Sequence, residues 1–397
     1  MFEYLVPRPA DAIMALMEAA KADANPNKID LGVGIYKDDA GATTVMKAVK
    51  EAEKLWWDEE DTKKYVSTVG RQDFRDLMAE MIFGKNSDVI TEGRLATAQA
   101  AGGSGALRLG AEIIKSAAPD ATVWVSIPTW ANHIPLISSP GLKMEEYPYY
   151  NRETLGVDFD DMLERLSSKA KAGDVVLLHG CCHNPTGADL SPGQWDIIAD
   201  LMKERSLLPF IDLAYFGLGQ GMEEDVYGLR KVLAVCPEAI VAMSCSKNFG
   251  LYRERVGMVA VITKDADTAK IAQSQLSAIQ RKVISMPPDH GAALVAKILG
   301  DKSLRKMWVE ELNEMRDRMI DLRRIFSDEL SVQGSEVMAA AVKNQNGMFS
   351  TLPVSKSQAE ALRKKHSVYM TNSGRINIAA ATAENIPRLA TAILDVL

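Results

Sequence analysis

The chain is poor in cysteine, and it has neither a long apolar run nor a long basic one. Four cysteines in 397 residues, at positions 181, 182, 236 and 245, do not make a disulfide framework; such usage fits a reducing compartment. No apolar run approaches the roughly 20 residues that cross a bilayer, so no membrane segment is expected. The opening "MFEYLVPRPADAIMALMEAA" carries Arg8 and Asp11 and lacks the basic start and apolar block of a secretory signal. With a net charge of −7 and no basic cluster, nucleic acid is not an expected partner. There are no internal repeats or low-complexity tracts. What remains is a cytoplasmic globular protein, 47% hydrophobic and 25% charged, long enough for two or three domain-sized units.

Short apolar runs alternate with amphipathic stretches through the middle of the chain. The candidate strands are Leu95–Gln99, Thr122–Ile127, Lys143–Tyr147, Val175–Gly180, Leu208–Leu213, Ala239–Ser244 and Met258–Thr263. Between them lie helical patterns such as "GALRLGAEIIKSAA" and "SPGQWDIIADLMKERS", the latter opened by Ser191 and Pro192. Strand–helix–strand repeats predict an α/β fold, a mostly parallel sheet with helices on both faces. Beyond about residue 300 the pattern changes to one long amphipathic helix, "LRKMWVEELNEMRDRMIDLRRIFSDEL". A smaller strand–helix set follows: "GMFSTL", "SQAEALRKKH", "SVYMT" and "GRINIAA". This predicts a large domain over 45–300 and a smaller α/β domain built from 1–44 and 301–397.

Ligands of open parallel sheets bind beyond the carboxyl ends of the strands, and the polar residues gather there. After the strand near residue 97 comes the turn "AAGGSGALR"; after "TVWVSIP" comes Trp130; after "VVLLHG" comes "CCHNPTGA" with Asn184. Asp212 ends "LLPFID" and is followed by Tyr215, and Lys247 follows "AIVAMSC", flanked by Ser244, Ser246, Arg253 and Arg255. Singly, each has an ordinary explanation: a helix cap, a turn, core packing, a solvated surface lysine. "GGSG" lacks the dinucleotide-binding spacing. Together they place a Gly-rich loop, an aromatic ring, an amide, a carboxylate, a phenol and an amine on one rim.

Pyridoxal phosphate chemistry wants that set. A lysine amine bonds the cofactor aldehyde, and a carboxylate keeps the pyridine nitrogen protonated. Hydroxyl and amide donors hold the phenolic oxygen. The phosphate takes an arginine, hydroxyls and free N–H groups at a helix N-terminus. A second arginine suits a substrate carboxylate, because its planar fork pairs both oxygens.

On "GVGIYKDD", "GGSGALR", "PTWANH", "LLHGCCHNPTGA", "IDLAYFG", "SCSKNFGLYRERVG", "SMPPDHG", "NGMFS" and "GRINIA", the chain resembles the fold type I, class I aminotransferases of the aspartate/aromatic branch over its whole length. The resemblance implies a seven-stranded, mostly parallel sheet, pyridoxal 5′-phosphate as cofactor and a homodimer with shared sites. Lys247 would bond the cofactor and move a proton. Asp212 would face the ring nitrogen, backed by His133, with Tyr215 and Asn184 at the phenolic oxygen and Trp130 stacked on the ring. Gly103, Ser104, Ser244 and Arg255 would hold the phosphate, joined by Tyr65 from the neighbouring subunit. Arg375 would bind the substrate α-carboxylate, with Gly34 and Ile35 lining the pocket. Arg281, again across the dimer, would meet a side-chain carboxylate.

Arg281, Lys37 and Thr43 point to a dicarboxylic substrate, whereas Ile35, Ser104 and Met286 point to tolerance of an aromatic ring. The expectation is dual specificity, with an aspartate-selective enzyme as the alternative. Three rival readings are weaker: a lyase or decarboxylase on the same fold, disfavoured by the paired arginines; a catalytically dead binding module, disfavoured because every required catalytic residue type is present; and a metal protein built on "HGCCH" at 179–183. In a strand adjacent residues face opposite ways, which opposes the metal reading.

Overall fold

The structure, a computed structural model, describes residues 2–7 and 11–397. Met1, Arg8 and residues 9–10, part of the expected small domain, lie outside the described residues.

The short strand β1 (Ile29–Asp30) comes first. All seven expected central strands follow: β2 (Leu95–Ala101), β3 (Thr122–Ile127), β4 (Lys143–Pro148), β5 (Val175–His179), β6 (Leu208–Leu213), β7 (Ala239–Ser244) and β8 (Val256–Ile262). They form one seven-stranded sheet in the order β2-β8-β7-β6-β5-β3-β4. β3 through β7 run parallel to their neighbours, while β8 lies antiparallel to both β2 and β7.

Helices cover both faces, and every strand but the edge strand β4 buries both of its own. Val123, Val125, Leu177, Phe210, Ile240 and Ala242 pack into one core; Trp124, Val176, Leu178, Ile211, Val241 and Met243 pack into the other. That is the period-2 alternation of a strand with no solvated side, and it explains why these segments read as continuous apolar runs. The helix Pro192–Glu204 starts where Ser191 predicts: its hydroxyl accepts from the Gln194 amide, and the Gln194 side chain accepts from the Ser191 amide.

β2 is an edge strand, yet its outer backbone groups are occupied. The Gln273 side chain accepts from Thr97 N at 2.9 Å and donates back to Thr97 O at 2.9 Å. Gln280 donates to Gln99 O at 2.6 Å, and Gln99 N donates to Val69 O.

A third core gathers Ile29, Leu31 and Leu155 with residues between Leu322 and Ile393. Here β1 pairs in parallel with β10 (Val368–Tyr369), so the N-terminal segment does join the C-terminal elements. β9 (Phe349–Thr351) pairs antiparallel with β11 (Arg375–Asn377). The expected long helix spans Lys302–Val332; it buries Trp308 and Leu312 against a large core and Phe326 and Leu330 against the third.

Candidate active site

Because β2 runs the same way as the parallel strands, the chain leaves β2, β3, β5, β6 and β7 on one rim. A cavity of about 260 Å³ opens there. Each of the five strand ends contributes to its wall: Gly103 and Ser104, Trp130, Asn184, Asp212 with Tyr215, and Ser244 with Lys247 and Arg255. Gly34 and Arg375 close it from the side of the third core.

At one end the helix Gly102–Ala117 points its N-terminus at the cavity, and no side chain caps it. Its first N–H groups and its dipole favour an anion. Gly102 has φ +69°, and a Cβ there would lie 2.4 Å from Arg255 Nη2. Backbone and guanidinium therefore share a cradle that only glycine permits. Arg255 Nη1 donates to Tyr252 O at 3.1 Å and to Ser246 Oγ at 3.3 Å, and the Ser244 hydroxyl accepts from the Ser246 amide at 3.2 Å.

In the middle, Asp212 is buried. Burial alone would raise its carboxyl pKa, but the hydrogen bond and charge of His133, with the charges of His179 and Lys247, together hold it below the usual range. Asp212 Oδ2 lies 3.1 Å from His133 Nε2, and His133 Nδ1 lies 2.7 Å from Thr129 Oγ1, which in turn sits 3.1 Å from His179 Nε2. Asp212 Oδ1 and Asn184 Oδ1 are buried with no partner among the described residues. Such atoms are rare unless something else completes them. Asn184 Nδ2 donates to the Tyr215 hydroxyl at 3.3 Å, and burial raises the Tyr215 pKa. Trp130 stands edge-on to His133, ring centroids 5.4 Å apart.

Lys247 Nζ sits 4.7 Å from the centre of the Tyr215 ring. Burial pushes its ammonium down to about 8; Asp212 opposes that shift, and Arg255 and Arg375 reinforce it. A lysine so placed reaches its neutral, nucleophilic form near physiological pH.

At the other end, Arg375 Nη2 donates to Gly32 O at 2.7 Å, its guanidinium lies 4.4 Å from the centre of the Phe349 ring, and its Nε has no partner. Gly34 is close-packed: a Cβ there would stand 2.7 Å from Phe349 Cζ.

The sequence matches the aminotransferase class I and II family over residues 26–393. The chain belongs to that family. It is 45% identical over 397 residues to an aspartate aminotransferase of Haemophilus influenzae, covering all of both chains. It is 43% identical over 396 residues to an aromatic-amino-acid aminotransferase of Paracoccus denitrificans, again covering all of both. A solved aromatic-amino-acid aminotransferase of Burkholderia pseudomallei, covalently bound to pyridoxal phosphate, superposes with a TM-score of 0.97 at 39% identity, over 100% of this chain and 99% of that one.

This aminotransferase uses pyridoxal phosphate, and the residues present fit it. A helix N-terminus and Arg255 suit a phosphate, the orphaned carboxylate oxygen of Asp212 suits a ring N–H, and a buried amine suits an aldehyde. Three expected site residues do not line the cavity. Ile35 is not part of its wall; its carbonyl accepts from Asn377 Nδ2 at 2.7 Å. Tyr65, 91% exposed, and Arg281 instead share a separate hollow with Ser285 and Met286. Arg281 Nη1 there donates to Ser285 Oγ at 2.6 Å.

The cavity also takes Ile13, Leu107, Tyr252 and Phe349, which the strand-end reading did not single out, and Ser246, which it named only as a neighbour of Lys247. Ser246 and Tyr252 lie in the quoted lysine segment and were legible as neighbours of Lys247. Ile13 and Leu107 carry no local signal, being ordinary apolar positions of amphipathic helices.

The "HGCCH" set does not converge. His179 and His183 lie ring to ring at 4.0 Å and bond Thr129 and Ser126 respectively, whereas Cys181 and Cys182 cluster with Asp225. Asp225 already accepts from the backbone amides of Gly217, Gly219 and Gln220.

Proposed function

We propose that this aminotransferase moves the amino group between aromatic amino acids (Phe, Tyr, Trp) or aspartate and the 2-oxoglutarate/glutamate pair, in alternating half-reactions. The observation that carries the reading is one cavity with Lys247 in its wall, Arg255 with a helix N-terminus at one end and Arg375 at the other. Relatives of similar identity named for aspartate and for aromatic amino acids support two substrate classes over an aspartate-only preference.

Bound pyridoxal phosphate supplies an electron-withdrawing ring conjugated to the substrate nitrogen. The chain does the rest. Arg255, Ser244 and the amides of Gly103 and Ser104 hold the phosphate. Asp212, its pKa depressed chiefly by His133, would pair with the ring nitrogen; Asn184 and Tyr215 would donate to the phenolic oxygen; Trp130 would pack on the ring. Lys247 would be the amine that bonds the cofactor aldehyde and, as the free amine, would carry the proton away from the substrate Cα. Arg375 fixes the α-carboxylate so that this proton faces the amine.

Tyr65 and Arg281 sit outside their own cavity and exposed together, as residues would that complete the site of a second copy. In that homodimer Tyr65 reaches the phosphate and Arg281 the side-chain carboxylate, moving aside for an aromatic ring. Residues 45–300 form the cofactor-binding domain, and 1–44 with 301–397 form a small domain that closes over the substrate. A cytoplasmic location accords with four free, buried cysteines.

An absorbance spectrum of the purified protein tests this, with L-phenylalanine and then L-aspartate added. A near-ultraviolet or visible band should shift with either amino acid and return with 2-oxoglutarate. A protein that stays colourless with added pyridoxal phosphate overturns the role of Lys247. A band that answers aspartate alone overturns the dual specificity.

A further inference from the structure

Arg323, on the Lys302–Val332 helix, is 3% exposed. Its guanidinium is spent on backbone carbonyls. Nε and Nη2 donate to Gly347 O at 3.3 and 2.8 Å, Nη1 to Val342 O at 3.1 Å and to Ser350 Oγ at 2.8 Å, and Nη2 to Asn346 O at 3.2 Å and Phe349 O at 2.6 Å. Among the described residues no carboxylate pairs with it; the charge is met by the dipoles of one segment. Burying a cation this way is expensive unless every N–H is satisfied, and here each one is.

The segment it gathers matters because of what it carries. Phe349 is the platform under the Arg375 guanidinium, and the next residues of β9 pair with β11, in register Thr351 to Arg375. The same segment is stitched to the Asn184 loop: Asn346 N donates to Gly187 O at 2.8 Å, and Thr351 Oγ1 donates to Pro185 O at 2.9 Å. Gly187 has no room to yield, since a Cβ there would meet Phe349 O at 2.1 Å.

We propose that Arg323 is a positioning residue for substrate recognition: it fixes the 342–350 segment, through Phe349 sets the Arg375 guanidinium, and so fixes how far the carboxylate anchor stands from the Asn184 loop. The inference rests on Arg375 being that anchor.

The test uses cofactor-loaded Arg323→Met, Arg323→Lys and Ser350→Ala. Affinity for succinate, a non-reacting dicarboxylate, is read from the absorbance change on titration, beside KM and kcat for aspartate and the melting temperature. Arg323→Met should raise the succinate Kd and the aspartate KM on the order of tenfold with kcat little changed, as a small misplacement of a carboxylate clamp does. Arg323→Lys should recover part of the loss. Ser350→Ala, which removes one acceptor, should move both constants the same way by about threefold, and it decides the matter if the Arg323 variants do not fold. Variants that melt lower but bind succinate like the wild type overturn the proposal and leave Arg323 a strut. Unaltered protein that fails to bind succinate overturns instead the assignment of Arg375.

Discussion

Replacing Gly102 by alanine adds one methyl group at the phosphate end. The new Cβ would lie 2.4 Å from Arg255 Nη2, against the 3.4 Å where ordinary contact begins, a shortfall of 1.0 Å. The backbone cannot absorb it, because Gly257 packs against the Gly102 carbonyl from the other side; an added Cβ at 257 would stand 2.6 Å from Gly102 C. The guanidinium must therefore move, out of the position held by Tyr252 O and Ser246 Oγ. Loss of one charged hydrogen bond to phosphate costs about 1.5–3 kcal/mol, which is a rise of about 10- to 150-fold in the pyridoxal phosphate dissociation constant. The left-handed φ of +69° adds a separate penalty of about 1–2 kcal/mol to the fold itself. Titration of cofactor-free protein, followed by fluorescence quenching, reads the first; calorimetry of the same cofactor-free protein reads the second. Gly103→Ala is the comparison, since its Cβ would meet only the Ser244 side chain, Cβ at 3.1 Å and Oγ at 3.5 Å, and it has no positive φ; its effect on cofactor binding should be the smaller of the two. If Gly102→Ala binds the cofactor like the wild type, or if Gly103→Ala weakens it more, the shared cradle is wrong.

Three further outcomes follow from the same geometry. His133→Leu removes the largest of the contributions that hold the Asp212 carboxyl down and leaves only the charges of His179 and Lys247 against burial; a depressed carboxyl loses its charge as pH falls through its pKa, so raising that pKa should move the acid limb of the kcat/KM profile upward by about one unit or more, and an unmoved limb refutes the coupling. Arg281→Leu should cut kcat/KM for aspartate about 100-fold or more while leaving phenylalanine within a few-fold; equal loss on both substrates would show a structural role. Trp308 is buried, stacks on Phe249 at 4.4 Å and donates to Asn248 O at 2.8 Å, beneath the turn carrying Lys247. Trp308→Ala should cost about 3–5 kcal/mol in urea unfolding and Trp308→Phe distinctly less, whereas equal, small losses would deny the packing.

Most of the strands were legible because both faces of the sheet are buried there, so each appears as an apolar run; the edge strand β4, KMEEYP, is largely exposed and is the exception. Only their ends moved: β2 continues to Ala101 and β8 begins at Val256. The reversed direction of β8 left no mark in its composition, since a strand buried on both faces reads alike either way. Lys247, Asp212 and Asn184 were found because strand ends of a parallel sheet converge by construction. Phe349 was quoted within a motif, yet its service to Arg375 depends on β9 meeting β11, a pairing that periodicity does not encode. Arg323 was hidden for a related reason: in a helix rich in arginine and acidic residues it looks like a surface cation, and only the fold turns it inward. Tyr65 and Arg281 came from resemblance alone, and within one chain they stand apart from the cavity.

The occupied outer edge of β2 has a bearing on how these molecules can meet. An unpaired edge strand is a template on which another chain can add itself. Here an incoming strand would find the Thr97 N–H and C=O already bonded to Gln273, the Gln99 C=O to Gln280 and its N–H to Val69 O. Two side-chain amides thus stand where a neighbouring backbone would lie. Sheet-to-sheet polymerisation along that edge is blocked, and any pairing of subunits on this side must be made by side-chain surfaces, which select their partner by shape instead of accepting any strand.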